Sequence, residues 1–182
     1  DDCNNSILLI HIITVNDTQV PTATSPADIS VECSSAVPAP DISVITDAAD
    51  NCSIPLVIFV SDVSNSSSCP EVITRTYSLI EDCGNETLIT QTITIIDTTT
   101  PTASVPSPIN VQCIEDVPPP DITIISDATD NCSAPVVSFV SDVSTGTCPQ
   151  LIIRTYRIED GCGNTIDILQ AINVNDNILP TA

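Results

Sequence analysis

The chain repeats itself, and the period sets the size of the unit that must fold. Pro21-Thr22-Ala23 returns as Pro101-Thr102-Ala103 and again as Pro180-Thr181-Ala182, at spacings of 80 and 79 residues. Between these marks the same words recur in order. Asp50-Asn51-Cys52 matches Asp130-Asn131-Cys132, Arg75-Thr76-Tyr77 matches Arg154-Thr155-Tyr156, and Cys83-Gly84-Asn85 matches Cys162-Gly163-Asn164. The one-residue difference lies in the loop before Cys69 and Cys148, where loops absorb length changes most easily. A long self-similar period is the signature of an array of small units. Asp1-Asp2-Cys3-Asn4-Asn5 and Val15-Asn16-Asp17-Thr18 match the end of a repeat. Residues 1–20 therefore read as the C-terminal strand region of a preceding repeat, 21–100 and 101–179 as two full repeats, and 180–182 as the start of the next. With no initiating Met, leader or apolar span, the chain reads as a window on a longer protein.

Units of about 80 residues bury a limited core and often need covalent staples. Each full repeat carries four cysteines: Cys33, Cys52, Cys69 and Cys83, then Cys113, Cys132, Cys148 and Cys162. Even counts in a small repeated unit read as disulfides and as an extracellular, cell-surface or secreted location. A zinc site fits poorly, since no CxxC pair occurs and the one histidine, His11, lies outside both full repeats. Cys3 is the ninth cysteine, with its partner expected upstream.

Nearly every segment reads as strand. β-Branched residues dominate, prolines punctuate, and no stretch keeps a 3.6-residue apolar period. In the first repeat the expected strands are Ile29–Cys33, Ile42–Thr46, Leu56–Val63, Val72–Ile80 and Leu88–Ile96, and the second repeat copies them. Short antiparallel strands separated by turn signals point to all-β, tandem immunoglobulin-like β-sandwiches in a linear array, with an Ile/Val core in place of a tryptophan.

The ordered set Ile-x-Val-x-Cys, Asp-Asn-Cys, Ser-Cys-Pro, Arg-Thr-Tyr, Cys-Gly-Asn and the closing Thr-Ile-Thr-Ile-Ile-Asp-Thr-Thr-Thr-Pro resembles the four-cysteine relatives of hyalin (HYR) repeats. The resemblance covers essentially the whole chain. It implies an immunoglobulin-like sandwich in a tandem array, as occurs in very large secreted surface proteins of Bacteroidetes, gliding flavobacterial adhesins among them.

There are 24 acidic residues against three arginines and no lysine, for a net charge of −21. Such a surface repels nucleic acid and anionic membranes, so neither is an expected partner. Ordered acidic loops outside the cell invite calcium instead. Candidate ligands are Asp47 and Asp50 before Cys52, Asp127 and Asp130 before Cys132, Asp160 with Asn164, and Asp17 and Asp97 at the ends of last strands. The plainer reading makes these residues turn formers. Arg75 and Arg154 share strand parity with inward-facing Tyr77 and Tyr156, so each is expected to hold a carboxylate. His11 falls where the other copies have Gln91 and Gln170, a polar strand position. Sequons at Asn4, Asn16, Asn51, Asn65, Asn85 and Asn131 leave glycosylation open.

Sandwich topology gives an expected disulfide pairing. Cys33 and Cys69 fall at the bottom of the repeat, and Cys52 and Cys83 at the top. The pairs are then Cys33–Cys69 and Cys52–Cys83, with Cys113–Cys148 and Cys132–Cys162 in the second copy. The same topology sends Asp97 toward the 127–131 loop across a link of only Thr98-Thr99-Thr100-Pro101. The function expected is a non-enzymatic structural segment of a secreted surface fibre or adhesin stalk, stapled by disulfides and stiffened by calcium. Its partners are neighbouring repeats and like chains in a fibre. The alternative is a calcium-dependent module that binds surface glycans or another ligand.

Overall fold

The computed structural model describes residues 2, 3 and 6–179. The match at 180–182 and the Asn4 sequon lie outside the described residues. The fold is all-β, with two four-stranded sheets and only single turns of 3-10 helix. In the first sheet, β1 (Ile29–Val31), β2 (Leu56–Ser64), β3 (Glu71–Ile80) and β4 (Glu86–Ile95) lie in the order β1-β4-β3-β2. The second sheet repeats this with β5 (Ile109–Val111), β6 (Val136–Gly146), β7 (Gln150–Glu159) and β8 (Thr165–Val174), in the order β5-β8-β7-β6.

The long strands follow from alternation. In β3, Arg75, Tyr77 and Leu79 point one way and are buried, as the period of two requires. The turn before β4 needs Gly84 at φ +89°, and Gly163 serves at φ +87° before β8, a region other residues enter at a cost.

The N-terminal half of each repeat departs from the expected strand plan. Ile42–Val44 and Ile122–Ile124 are 3-10 turns, where strands are expected from the sequence. The cause is local: the Asp41 and Asp121 carboxylates accept the N–H groups of Ser43 and Thr123 at 2.8 and 2.9 Å, which diverts the backbone from a ladder. Pro38 and Pro40 further limit pairing. The short β1 pairs with β4 in parallel, Ile29 opposite Ile93, instead of antiparallel. Residues 6–15 correspond to β4 in the sequence period but form no strand, and Ile7–Ile10, Ile12, Ile13 and Val15 stand 77–84% exposed. A ladder strand needs a neighbour for its N–H and C=O groups, and no described strand pairs with this segment.

By packing, the chain divides into two compact units that do not follow the sequence period. The first takes the chain up to Ala27 with Pro40–Asp62 and Arg75–Gln91. The second takes Asp28–Ala39, Val63–Thr74 and the chain from Thr92 on. The first unit's core is Ile45, Tyr77, Leu79 and Ile89. The equivalent residues Ile125, Tyr156, Ile158 and Ile168 form a core of the second, beside a further cluster of Ile152, Ile172 and Val174. Each tyrosine binds its irregular segment to the sheet. Tyr77 donates to the Asp41 carbonyl, Tyr156 accepts from the Asp121 N–H, both at 3.3 Å, and each ring meets a phenylalanine edge-on.

Candidate functional site

A cluster of directed polar contacts lies inside the second unit, where the first repeat runs into the second. After β4, Ile96 donates to the Val31 carbonyl at 2.9 Å, and Asp97 turns its carboxylate back onto the Thr99 N–H at 2.9 Å. Glu32 accepts from both the N–H and the hydroxyl of Thr98, at 3.0 and 2.9 Å. The Asp97 carbonyl receives the Asn164 side-chain amide at 3.0 Å. Pro101 is fully buried, and Thr102 forms a two-bond bridge with Thr129. Asp97 and, within the link, Thr98 and Thr99 are thus each bound by at least one directed hydrogen bond.

Two disulfides close this joint. Cys33, just past β1, bonds Cys132, with Cα atoms 5.1 Å apart; Cys69, before β3, bonds Cys162, with Cα atoms 5.2 Å apart. Both separations fall within the usual range for a cystine. These are not the expected pairs. Cys33 does not bond Cys69, and Cys132 does not bond Cys162. Cys52, Cys83, Cys113 and Cys148 are unpaired and exposed. The bonds run between consecutive repeats and not within a single repeat. Cys33, Cys132 and Cys162 line a cleft of about 200 Å³ that also includes Glu32, Glu71 and Asp97.

The acidic candidates separate into two classes. Asp97 and Asp130, with the sulfur of Cys132, offer ligand atoms within 4.8 Å of one another, and so do Asp17, Asp50 and Cys52 in the first unit. The others are engaged in turns. Asp47 accepts the N–H and hydroxyl of Thr24, the hydroxyl at 2.6 Å, and Asp127 accepts the Ser104 N–H at 3.0 Å. Asp160 accepts the N–H groups of Cys162 and Asn164 at 2.8 and 2.9 Å and the Asn164 side-chain amide at 2.8 Å. Burial opposes ionisation of Asp160, yet Asn164 and the neighbouring N–H groups hold its carboxyl below the ordinary value.

Asp97 behaves in the opposite way. The Thr99 N–H favours its charged form, but partial burial, the Asp130 carboxylate and Glu32 outweigh that bond and push its pKa up from 3.8. At the equivalent position, Asp17 is held below 3.8, chiefly by the Gln19 N–H and then by the Cys52 thiol.

The two buried arginines hold carboxylates, as their strand parity implies. Arg75 makes a two-pronged ion pair with Asp62, both bonds at 2.8 Å, and Arg154 pairs likewise with Asp142 at 2.9 and 2.8 Å. Gln91 and Gln170 donate to the carbonyls of Ala27 and Ser107 at 2.7 and 3.0 Å. His11, their sequence counterpart, is exposed in the segment without strand.

Sequence reasoning missed Glu32. Its signal was available: Glu32 precedes Cys33 as Gln112 precedes Cys113, and Gln112 also accepts a link N–H, that of Asn177, at 3.2 Å. Residues 21–95 match the family model of the HYR-like domain with 4 cysteines. No curated protein matches the chain.

Proposed function

We propose that this chain is a structural segment of a long secreted cell-surface fibre or adhesin stalk, in which 21–100 and 101–179 are successive immunoglobulin-type repeats and the joint between them carries load. The observation that carries the reading is the pair of cystines at 33–132 and 69–162, which join consecutive repeats of one chain. Their chemistry suits an oxidising, extracytoplasmic setting. Among the described residues no helix is long and apolar enough to cross a membrane. The two buried arginines each hold a carboxylate within their sheet, as structural parts do.

Calcium at the joint belongs to the same reading. Asp97 and Asp130 are close enough to repel, and either a proton or a cation relieves that repulsion. Sulfur in a cystine is a poor ligand for so hard an ion, so the oxygens of Asp97, Asp130 and the nearby Glu32 would hold it.

Force spectroscopy on the chain tests the mechanical role. The Cys33–Cys132 bond shields 99 residues from extension. Adding reductant should therefore release roughly 330 Å of extra contour length, at about 3.3 Å per residue. If the same length is released without reductant, the joint bears no load and the stalk reading fails.

A further inference from the structure

Four cysteines take no part in the joint within the second unit: Cys52 and Cys83 in the first unit, Cys113 and Cys148 in the second. Their positions are not arbitrary. Cys52 and Cys83 are the second and fourth cysteines of their repeat, the places of Cys132 and Cys162. Cys113 and Cys148 are the first and third, the places of Cys33 and Cys69. Each shares a local feature with its bonded counterpart. Cys33 and Cys113 both precede a 3-10 turn at φ −121° with ψ 153° and 158°. Cys69 and Cys148 are both followed by a proline that opens the next long strand's approach, Pro70 and Pro149. The Cys52 N–H donates to Asp50 as that of Cys132 does to Asp130, at 2.9 and 3.1 Å. The Cys83 N–H donates to Glu81 as that of Cys162 does to Asp160, at 2.6 and 2.8 Å.

One side chain distinguishes the two situations. Asn131 directs its amide to the sulfur of the incoming Cys33, at 3.6 Å, whereas Asn51 directs its amide to Cys52 beside it, at 3.1 Å. The Asp17 carbonyl already holds the Asn85 amide at 3.1 Å, as the Asp97 carbonyl holds Asn164. The local geometry of a joint is therefore present around thiols that have no bond.

We infer that Cys52 with Cys83, and Cys113 with Cys148, are open halves of this same two-cystine joint, and that the partner of each half is a further repeat of this kind. Cys52 takes a first-position cysteine and Cys83 a third-position one; Cys113 takes a second-position cysteine and Cys148 a fourth-position one. Each bond forms by thiol–disulfide exchange: two thiols give two protons and two electrons to a disulfide oxidant, which departs as two thiols. The inference rests on the serial reading above, and it makes the covalent connection continuous, two cystines at every joint and none inside a repeat.

The test is disulfide mapping of the protein isolated from its own cells without reductant. Thiols are capped with N-ethylmaleimide at mildly alkaline pH before digestion and mass spectrometry. The expected map contains Cys33–Cys132 and Cys69–Cys162, and finds Cys52, Cys83, Cys113 and Cys148 uncapped, each bonded to the class of cysteine named above. Electrophoresis without reductant then assigns the partner repeat: a single-chain mass places it in the same polypeptide, and a ladder of multiples places it in a second copy. A Cys52–Cys83 or Cys113–Cys148 bond, or four capped thiols, overturns the inference while leaving a single stapled joint and the stalk reading intact. Absence of Cys33–Cys132 and Cys69–Cys162 overturns both.

Discussion

Asp17, Asp50 and Cys52 in one unit, and Asp97, Asp130 and Cys132 in the other, are the same three residues of the repeat in different chemical states. In the second unit Cys132 is bonded to Cys33, and Asp97 faces Asp130 and Glu32 with its pKa raised. In the first unit Cys52 is a thiol, and it lends a hydrogen bond that helps lower the pKa of Asp17. The Cys52 thiol is pushed up in turn, first by that bond to Asp17, then by burial and the nearby charges of Asp17 and Asp50. The peptide turn is common to both: Gln19 donates to Asp17 at 3.0 Å and Thr99 to Asp97 at 2.9 Å. The difference shows that local sequence builds the turn, whereas the electrostatics of the acids depends on what the loop is joined to.

The comparison is broken most forcefully at the cystines. A Cys33→Ser/Cys69→Ser double variant frees two loops spanning 99 and 93 residues. Chain entropy gives roughly 4–5 kcal/mol for one closure of that size, and losses of about 2–5 kcal/mol are typical. The first bridge removed should cost that much, and the second less, because the loops overlap. The matched Cys52→Ser/Cys83→Ser variant of the isolated chain should stay within about 0.5 kcal/mol of the parent, as exposed substitutions do. Urea denaturation without reductant reads both. Equal losses in the two variants would mean that the joint is not what separates the units.

A second experiment uses a feature the units share. Asp62→Ala and Asp142→Ala each leave a buried guanidinium without its carboxylate. Breaking a fully buried pair costs about 3–5 kcal/mol, and since these aspartates are about one-third exposed, the expected loss is about 2–3 kcal/mol. Because the pair is the same in both sheets, the two losses should agree within about 0.5 kcal/mol by thermal melting. Replacing each pair by a packed Met and Val should restore most of the stability.

Much of this is legible in the sequence. β3 and β4 follow from alternating Ile, Leu and Tyr, and Arg75 facing inward among them demanded an acid. The expected strand at Ile42–Thr46 failed because one carboxylate, Asp41, captures the backbone two residues on, a contest periodicity does not register. The parallel pairing of β1 with β4 depends on a partner more than 60 residues away and leaves no local trace. The disulfide pairing failed for another reason. The argument that sends Asp97 across a four-residue link to the 127–131 loop also carries Cys33 and Cys69 to the loops of Cys132 and Cys162. Pairs sought only within each repeat could not register that consequence.

Calcium gives a smaller effect, and one confined to one side of the comparison. At ten times its dissociation constant, a bound cation adds about 1.4 kcal/mol to the folded state. Chelation should then lower the melting temperature of the parent, and an Asp130→Asn variant should melt alike with and without chelator. If chelation shifts neither protein, the acids of the joint are turn residues and surface charge.

The smallest effect is the most discriminating, because the equivalent acids should respond with opposite sign. Asp97 has a raised pKa, so its protonated form is favoured in the folded state. Its contribution is fully present below the ordinary value of 3.8 and is lost as pH rises through the higher folded value. Asp17 has a lowered pKa, so its contribution is present above 3.8 and is lost as pH falls through the folded value. At neutral pH and without calcium, Asp97→Asn should therefore stabilise the chain by removing a charge that faces Asp130, while Asp17→Asn should destabilise it. The two variants' difference curves against the parent should diverge in opposite pH directions from a common point near 3.8. Adding calcium should reverse the sign at Asp97 alone, since the cation uses the carboxylate that repulsion otherwise penalises. Melting curves across the acid range, with and without calcium, decide it. Two curves of the same sign would show that the joint leaves the electrostatics of its acids unchanged.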